Sequence, residues 1–194
     1  MLARRPSAPP ALIARAMRLS IVEGALYALM VGFGEVYFAA DVLRLGGSAF
    51  QQGLAVSLPL CMGGLGSILA LRLLAHLRQR RWLVTASAFG QALGLLLLAW
   101  LDASARSSPE IVIALACLHQ VFGQATGAAW SSWFGDLVPA AVRGRYFARR
   151  TLWVQLATCA SLIAAGLLLQ WIEPARPEDA AGTGSAEQRV KEQD

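Results

Sequence analysis

The chain has 194 residues, of which 56% are hydrophobic and only 15% are charged, and its mean hydropathy is +0.51. Soluble domains are about 25% charged and about 45–50% apolar, so this composition indicates a membrane protein whose main partner is the lipid bilayer. The net charge of +5 comes from arginines clustered between apolar runs. That distribution is typical of membrane topology signals and argues against a nucleic-acid partner.

Taken in order, the chain opens with a basic, proline-bearing leader over residues 1–18. An apolar run over about 20–43 follows. At about 1.5 Å per helical residue it is long enough to cross a bilayer core of about 30 Å. Four more such runs lie at about 50–74, 82–101, 111–134 and 146–171. These runs predict an all-α membrane protein, with about five transmembrane helices in a bundle over residues 19–172.

The polar tail over residues 173–194 has almost no large apolar side chain, and we expect it to be disordered. The arginines near the predicted helix ends favour one face of the membrane. By the positive-inside rule, this predicts a multi-pass inner-membrane protein with a cytoplasmic N-terminus. Five spans then place the C-terminal tail outside.

Small residues indicate how the helices begin and meet. Ser48 precedes the second run and is a candidate N-cap. Two G-x-x-x-G motifs, Gly90 with Gly94 and Gly123 with Gly127, predict close helix contacts.

Acidic side chains inside the first run are the clearest functional signal. An ionisable group in a bilayer costs about 2.5–3.5 kcal/mol, so it normally faces a bundle interior or a water-filled cavity. Glu35 lies deep in the run and is a candidate proton or substrate site, with a hydrogen bond to a neighbouring helix as the alternative. Glu23 is nearer the cytoplasmic end, where solvation or pairing with Arg18 accounts for it. Tyr27 follows one turn later and could share its polar patch.

The fourth run carries His119, Gln120 and Gln124. The two glutamines share a helix face, and this stripe either lines an aqueous cavity or joins helices by hydrogen bonds. The three cysteines lie inside apolar runs, and no histidine or carboxylate stands at a zinc-ligand spacing. Serine hydrolase, P-loop and zinc peptidase motifs are also missing, so we expect no metal, no cofactor and no enzyme activity.

The connection between the fourth and fifth runs contains the spacing D-x-x-P-x-x-x-R-G-R-x-x-x-R-R. Its residues are Asp136, Pro139, Arg143, Gly144, Arg145, Arg149 and Arg150. This spacing resembles the cytoplasmic loop between the fourth and fifth helices of major facilitator superfamily transporters.

The resemblance implies the N-terminal half of that fold, truncated after about five helices. It implies a secondary transporter that moves a small solute by alternating access, with possible proton coupling through the candidates on its first and fourth helices. Asp136, Arg143 and Arg145 would act at the inner gate by exchanging ion pairs. The other half of the cavity would come from a missing C-terminal half or a second chain. The alternative is a non-transporting membrane scaffold or an inactive truncated remnant.

Overall fold

The structure, a computed structural model, describes residues 9–76 and 80–172. Within these two ranges every regular element is helical and no strand occurs. The α-helices of this part of the chain are α1 (Pro10–Phe33), α2 (Phe38–Arg44), α3 (Ala49–His76), α4 (Arg80–Ala103), α5 (Pro109–Leu137) and α6 (Ala140–Ile172). The predicted all-α class is confirmed.

Five segments of the described chain are long and apolar enough to cross a membrane, as predicted. The first joins α1 and α2 through a short 3-10 helix at Glu35–Tyr37, and the others are α3, α4, α5 and α6. Large apolar side chains cover the outside of the bundle. Leu26, Phe89 and Leu167 are each more than half exposed. Soluble monomers rarely present so much apolar surface, which agrees with a multi-pass membrane protein.

Two helices begin earlier than their apolar runs. α1 starts at Pro10, inside the predicted leader, and α6 starts at Ala140, directly after Pro139. Proline fixes φ near its helical value and lacks an N–H, so it is well suited to the first turn of a helix. Both helices therefore extend beyond the apolar runs that the sequence shows. Three parts of the chain lie outside the described residues, namely 1–8 of the leader, 77–79 and the predicted disordered tail over 173–194.

Side-chain caps fix the starts of α3 and α5. The Gln51 N–H donates to Ser48 Oγ at 3.2 Å, and the Ser48 N–H donates to Gln51 Oε1 at 2.9 Å, so the predicted cap is confirmed. At α5, the Ile111 N–H donates to Ser108 Oγ at 3.4 Å. The turn before α3 is tight because Gly46 has a φ of +79°, which glycine adopts without strain.

The helices form two groups. α5 packs against both α3 and α4, while α1 packs mainly against α6. The short α2 connects the groups, since it leaves the end of α1 and contacts α3 and α5. Phe38 and Val42 of α2 are buried with Val112 and Ala116 of α5. The small apolar core around α2 therefore holds the first span against the fourth.

The glycine motifs are only partly used in the helix contacts. A Cβ on Gly90 would lie 2.7 Å from the ring of Phe122 in α5, whereas Gly94 and Gly127 face nothing within 4 Å. The closest approach of a glycine to the backbone of another helix instead involves Gly66 of α3, where an added Cβ would overlap a backbone carbonyl of α5. Close approach requires that the glycine lies on the side of its helix that meets a neighbouring helix. The spacing of glycines within one helix does not specify which side that is.

The two ends of the bundle differ in charge. At one end, Met17 of α1 packs with Phe134 of α5 and Tyr146 of α6, near most of the arginines. We call this the basic end. At the opposite end, Arg44 of α2 forms an ion pair with Asp102 of α4. The bundle therefore has one end rich in arginine and an opposite end where Arg44 is paired with an aspartate.

Candidate functional site

A break in the first span positions Glu35. α1 ends at Phe33, and the three residues Glu35–Tyr37 form a single 3-10 turn before α2 begins at Phe38. The Gly34 N–H still donates to the Met30 carbonyl at 3.0 Å, so the backbone stays hydrogen-bonded through the break. Discontinuous helices at membrane depth are found where the freed backbone lies inside protein or lines a cavity. The first helix, predicted to be continuous, is thus interrupted at Glu35, whose carboxyl group is costly to place in a bilayer.

Glu35 faces a fully buried histidine. Its Oε2 lies 3.8 Å from Nε2 of His119 on α5, and the histidine side chain is only 1% exposed. The Phe38 ring packs edge-on against the imidazole, with the ring centroids 5.7 Å apart. At 3.8 Å the carboxylate attracts a protonated imidazole without a direct hydrogen bond. This pair brings together two of the residues predicted to lie on the transport pathway.

Gln91 of α4 extends the pair into a polar cluster. Its Nε2 lies 3.4 Å from His119 Nε2, and the Tyr27 hydroxyl of α1 lies near the same side chain, beside Gly123. Gly123 of α5 makes room for it, because a Cβ there would lie 2.6 Å from the Gln91 amide nitrogen. The cluster of Tyr27, Glu35, Gln91 and His119 joins three spans and contains three of the five predicted pathway residues.

The hydrogen bonding of His119 couples its two ring nitrogens. An amide nitrogen only donates, so when Gln91 bonds Nε2 the neutral imidazole carries its proton on Nδ1. Nδ1 is buried and has no partner among the described residues. A proton on Nε2 would instead favour Glu35 and displace the amide bond. The imidazole therefore has two alternative partners on one nitrogen and an unsatisfied group on the other.

Gln120 and Gln124 lie away from this cluster. Both pack over Gly63 of α3, where a Cβ would lie 3.0 Å from the Gln120 Cγ and 2.8 Å from the Gln124 Cγ. Their shared face is directed at α3, while the adjacent His119 faces α1 and α4. The structure therefore separates the predicted polar stripe of α5 into two parts that contact different helices.

The predicted inner-gate loop is mostly helical. Asp136 lies in the last turn of α5, Val138 and Pro139 form the connection, and Arg143 lies in the first turns of α6. The extended backbone of Val138 follows from the proline after it. Asp136 Oδ2 accepts from Arg80 of α4 at 2.6 Å. The aspartate is thus paired across to α4 and not with the arginines of its own motif.

The remaining motif residues have separate surroundings. Arg143 donates to the Val138 carbonyl at 3.2 and 3.3 Å, which caps the end of α5. Gly144 has nothing within 4 Å of a built Cβ. Arg145 and Arg149 line a groove between α6 and the start of α1. The motif therefore places its arginines in at least three different environments.

Arg150 is the best-partnered arginine of the motif. It donates to Ser20 Oγ at 3.2 Å and to Glu23 Oε2 at 3.2 Å, and its guanidinium lies 3.9 Å from the centroid of the Trp130 ring. The Tyr146 hydroxyl donates to the same Ser20 Oγ at 2.7 Å. Glu23 is thus paired with Arg150 of α6, whereas the sequence led us to expect solvation or pairing with Arg18.

Sequence reasoning missed Ser20, Tyr146 and Arg80 as polar partners. Ser20 and Tyr146 resemble ordinary helix residues in a sequence, and only their juxtaposition across α1 and α6 makes them partners. For Arg80 a signal existed, because an arginine cluster before one span must face the carboxylates of the same membrane side. Across residues 9–76 and 80–172, no three metal-binding side chains lie together.

No protein-family model matches this sequence, and neither a curated protein nor a solved structure matches it. The chain's function must accordingly be inferred from its own residues and geometry.

Proposed function

We propose that this chain is the N-terminal part of a major facilitator-like secondary transporter that moves a small solute by alternating access with proton coupling. The observation that carries the proposal is the Glu35–His119 pair, 3.8 Å apart at a break in the first span. Ionisable groups at membrane depth are rare and costly, and they commonly mark substrate or proton pathways. Both residues lie on spans that the resemblance to major facilitator transporters would assign to the cavity wall.

The chemistry of the pair supports proton coupling. A proton arriving at His119 strengthens its attraction to Glu35 and weakens its bond to Gln91. Because Glu35 belongs to the first span and Gln91 to the third, the two protonation states favour different contacts between helices. A proton can thereby bias one packing arrangement over another, which is what coupling requires. Solute would enter beside the same break, where the backbone is irregular.

The pairing of the spans supports the family assignment. The first span packs against the fifth, and the second packs against the fourth. A pseudo-two-fold axis that exchanges the first span with the fourth, and the second with the fifth, carries one pair onto the other. Inverted repeats of three helices produce this relation. On this model the Asp136–Arg80 ion pair, 2.6 Å long, belongs to the inner gate.

A transport assay with two matched acid variants tests the proposal. The chain would be reconstituted in vesicles with an internal pH dye, and a mixed library of small solutes would be offered under an imposed pH gradient. Glu35→Gln is expected to lower proton-coupled solute entry by about tenfold or more, the scale of ordinary coupling free energies. Glu23→Gln, the same chemical change on the same span, is expected to retain most of the activity.

Equal loss in both variants, with equal membrane insertion, would show that Glu35 has no special part in transport. The absence of any solute entry, with the wild-type chain reconstituted together with a chain that supplies the other half of the cavity, would favour the other candidate, a membrane scaffold. One observation favours that candidate: Gln120 and Gln124 pack over Gly63 and serve a helix contact. A scaffold predicts that Glu35→Gln and Gln124→Ala change stability alone.

A further inference from the structure

A groove at the basic end is separate from the polar cluster and takes no part in the proposed transport chemistry. It lies between the first turns of α1 and α6 and has a volume of about 690 Å³. Three arginines line it, Arg18 from α1 and Arg145 and Arg149 from α6. Arg145 and Arg149 are four residues apart and therefore project from the same helix face.

The charge of this groove is unbalanced. Arg44, Arg80 and Arg150 each form an ion pair with a carboxylate, whereas no ion pair of the described residues involves the three groove arginines. Neighbouring Arg150 differs, because it donates hydrogen bonds to Ser20 and forms an ion pair with Glu23. Three guanidinium groups on two helices, facing one cavity, repel one another unless an anion lies between them. The groove thus has the electrostatics of an anion site.

The rest of the lining is apolar. Met17, Ile21 and Val142 contribute to the same groove as the arginines. The Tyr146 hydroxyl, which also borders it, already donates to Ser20 Oγ at 2.7 Å. A small aqueous anion would gain nothing from this apolar part. A ligand with a charged head and a hydrocarbon body would use both parts.

The position of the groove indicates the same class of ligand. It lies at the end of two membrane-spanning helices, at the depth where phospholipid headgroups meet the hydrocarbon. The positive-inside rule places this end in the cytoplasmic leaflet, which carries the anionic lipids. Basic pockets between transmembrane helices on that side are suited to anionic headgroups.

We propose that the groove binds an anionic phospholipid. Arg18, Arg145 and Arg149 hold its phosphate, and the apolar lining receives the upper part of its acyl chains. Arginine suits this role because its planar guanidinium donates two parallel hydrogen bonds to a phosphate. The bound lipid would neutralise the charge of these three arginines, which no carboxylate of residues 9–76 and 80–172 pairs with, and would join α1 and α6 beside the Arg150–Glu23 pair.

The test is a lipid titration of the delipidated full-length chain, followed by native mass spectrometry. Phosphatidylglycerol is the probe, and phosphatidylcholine is the zwitterionic reference. The variant Arg145→Gln/Arg149→Gln is expected to bind phosphatidylglycerol about 30-fold more weakly, which corresponds to about 1 kcal/mol for each arginine. Arg18→Gln, on the facing helix, is expected to weaken binding about fivefold and serves as the second variant if the first does not fold.

The matched control is Arg15→Gln/Arg72→Gln. It removes the same two charges from the same end of the bundle, and both residues are exposed and outside the groove. Phosphatidylglycerol binding close to that of the wild type in this control would support the assignment. Three results would overturn it: an equal loss in the control, equal binding of phosphatidylcholine, or displacement of the lipid by millimolar inorganic phosphate. The last result would identify a water-soluble anion as the ligand.

Discussion

The two long helix pairs of the bundle, α3 with α5 and α1 with α6, are held together by different interactions. Between α3 and α5, Gly66 approaches the Val121 backbone so closely that a Cβ would overlap its carbonyl oxygen. Between α1 and α6, contact at the basic end is polar, through Arg150 and its partners Ser20 and Glu23. The first pair is thus specified mainly by shape, whereas the second combines close packing along the helices with hydrogen bonds at the basic end.

The difference shows which kind of substitution each pair can tolerate. Lipid tails are as apolar as leucine, so helices in a bilayer associate through close packing and hydrogen bonds and not through hydrophobic burial. The packing of α3 against α5 should lose stability when atoms are added at the contact. The packing of α1 against α6 should also lose stability when a hydrogen-bond donor is removed. The pair of α1 and α6 is also closely packed, because a Cβ on Gly32 of α1 would overlap Ser161 Oγ of α6.

The largest effect is expected from Gly66→Ala. The added methyl group meets a backbone atom, which cannot rotate away as a side chain can, so we expect a loss of about 3 kcal/mol in the free energy of unfolding. Reversible unfolding in mixed micelles with increasing dodecyl sulfate measures this quantity.

Gly64→Ala is the control for that substitution. It lies on the same helix, but nothing is within 4 Å of its built Cβ. Replacing a helical glycine should stabilise the chain by about 0.5–1 kcal/mol, because alanine loses less backbone entropy. If both substitutions changed stability by the same amount, close packing at Gly66 would not hold α3 against α5.

A smaller effect is expected between α1 and α6 from Arg150→Met. The substitution keeps an unbranched apolar stem and removes the guanidinium with its hydrogen bonds to Ser20 and Glu23. Hydrogen bonds of a charged group contribute about 1.5–3 kcal/mol, and Glu23 is half exposed, so we expect a loss of about 2 kcal/mol. Arg149→Met, measured in the same lipid-free detergent, should change stability by less than about 0.5 kcal/mol.

The smallest effect is expected from Tyr146→Phe. It removes one hydroxyl, which donates to Ser20 Oγ at 2.7 Å, and leaves the ring packed against its aromatic neighbours. Hydrogen bonds between membrane helices average about 0.6 kcal/mol, and we expect a loss of that size. Tyr37→Phe is the control, because it also removes a tyrosine hydroxyl from the chain. A loss above about 2 kcal/mol in Tyr146→Phe would show that the polar contacts act as one cooperative network.

The sequence predicted the number of spans, the helical class and the cap at Ser48, because each depends on local composition. It also identified Glu35 and His119 as costly groups in apolar runs. It did not predict that they face each other, nor that Asp136 pairs with Arg80 on α4. Those partners are distant in the chain, and helical spacing specifies only which residues share a face of one helix.

The sequence by itself determined that this chain has five segments long and apolar enough to cross a membrane, since its 56% hydrophobic residues are gathered in long runs. The tertiary structure decided the roles of the arginines in the D-x-x-P-x-x-x-R-G-R-x-x-x-R-R motif. Arg150 is bound by Ser20 and Glu23, whereas Arg145 and Arg149 face an open groove. The physical reason is that the environment of a charge depends on the neighbouring helices, and their packing fixes which arginine meets an acid and which faces the groove.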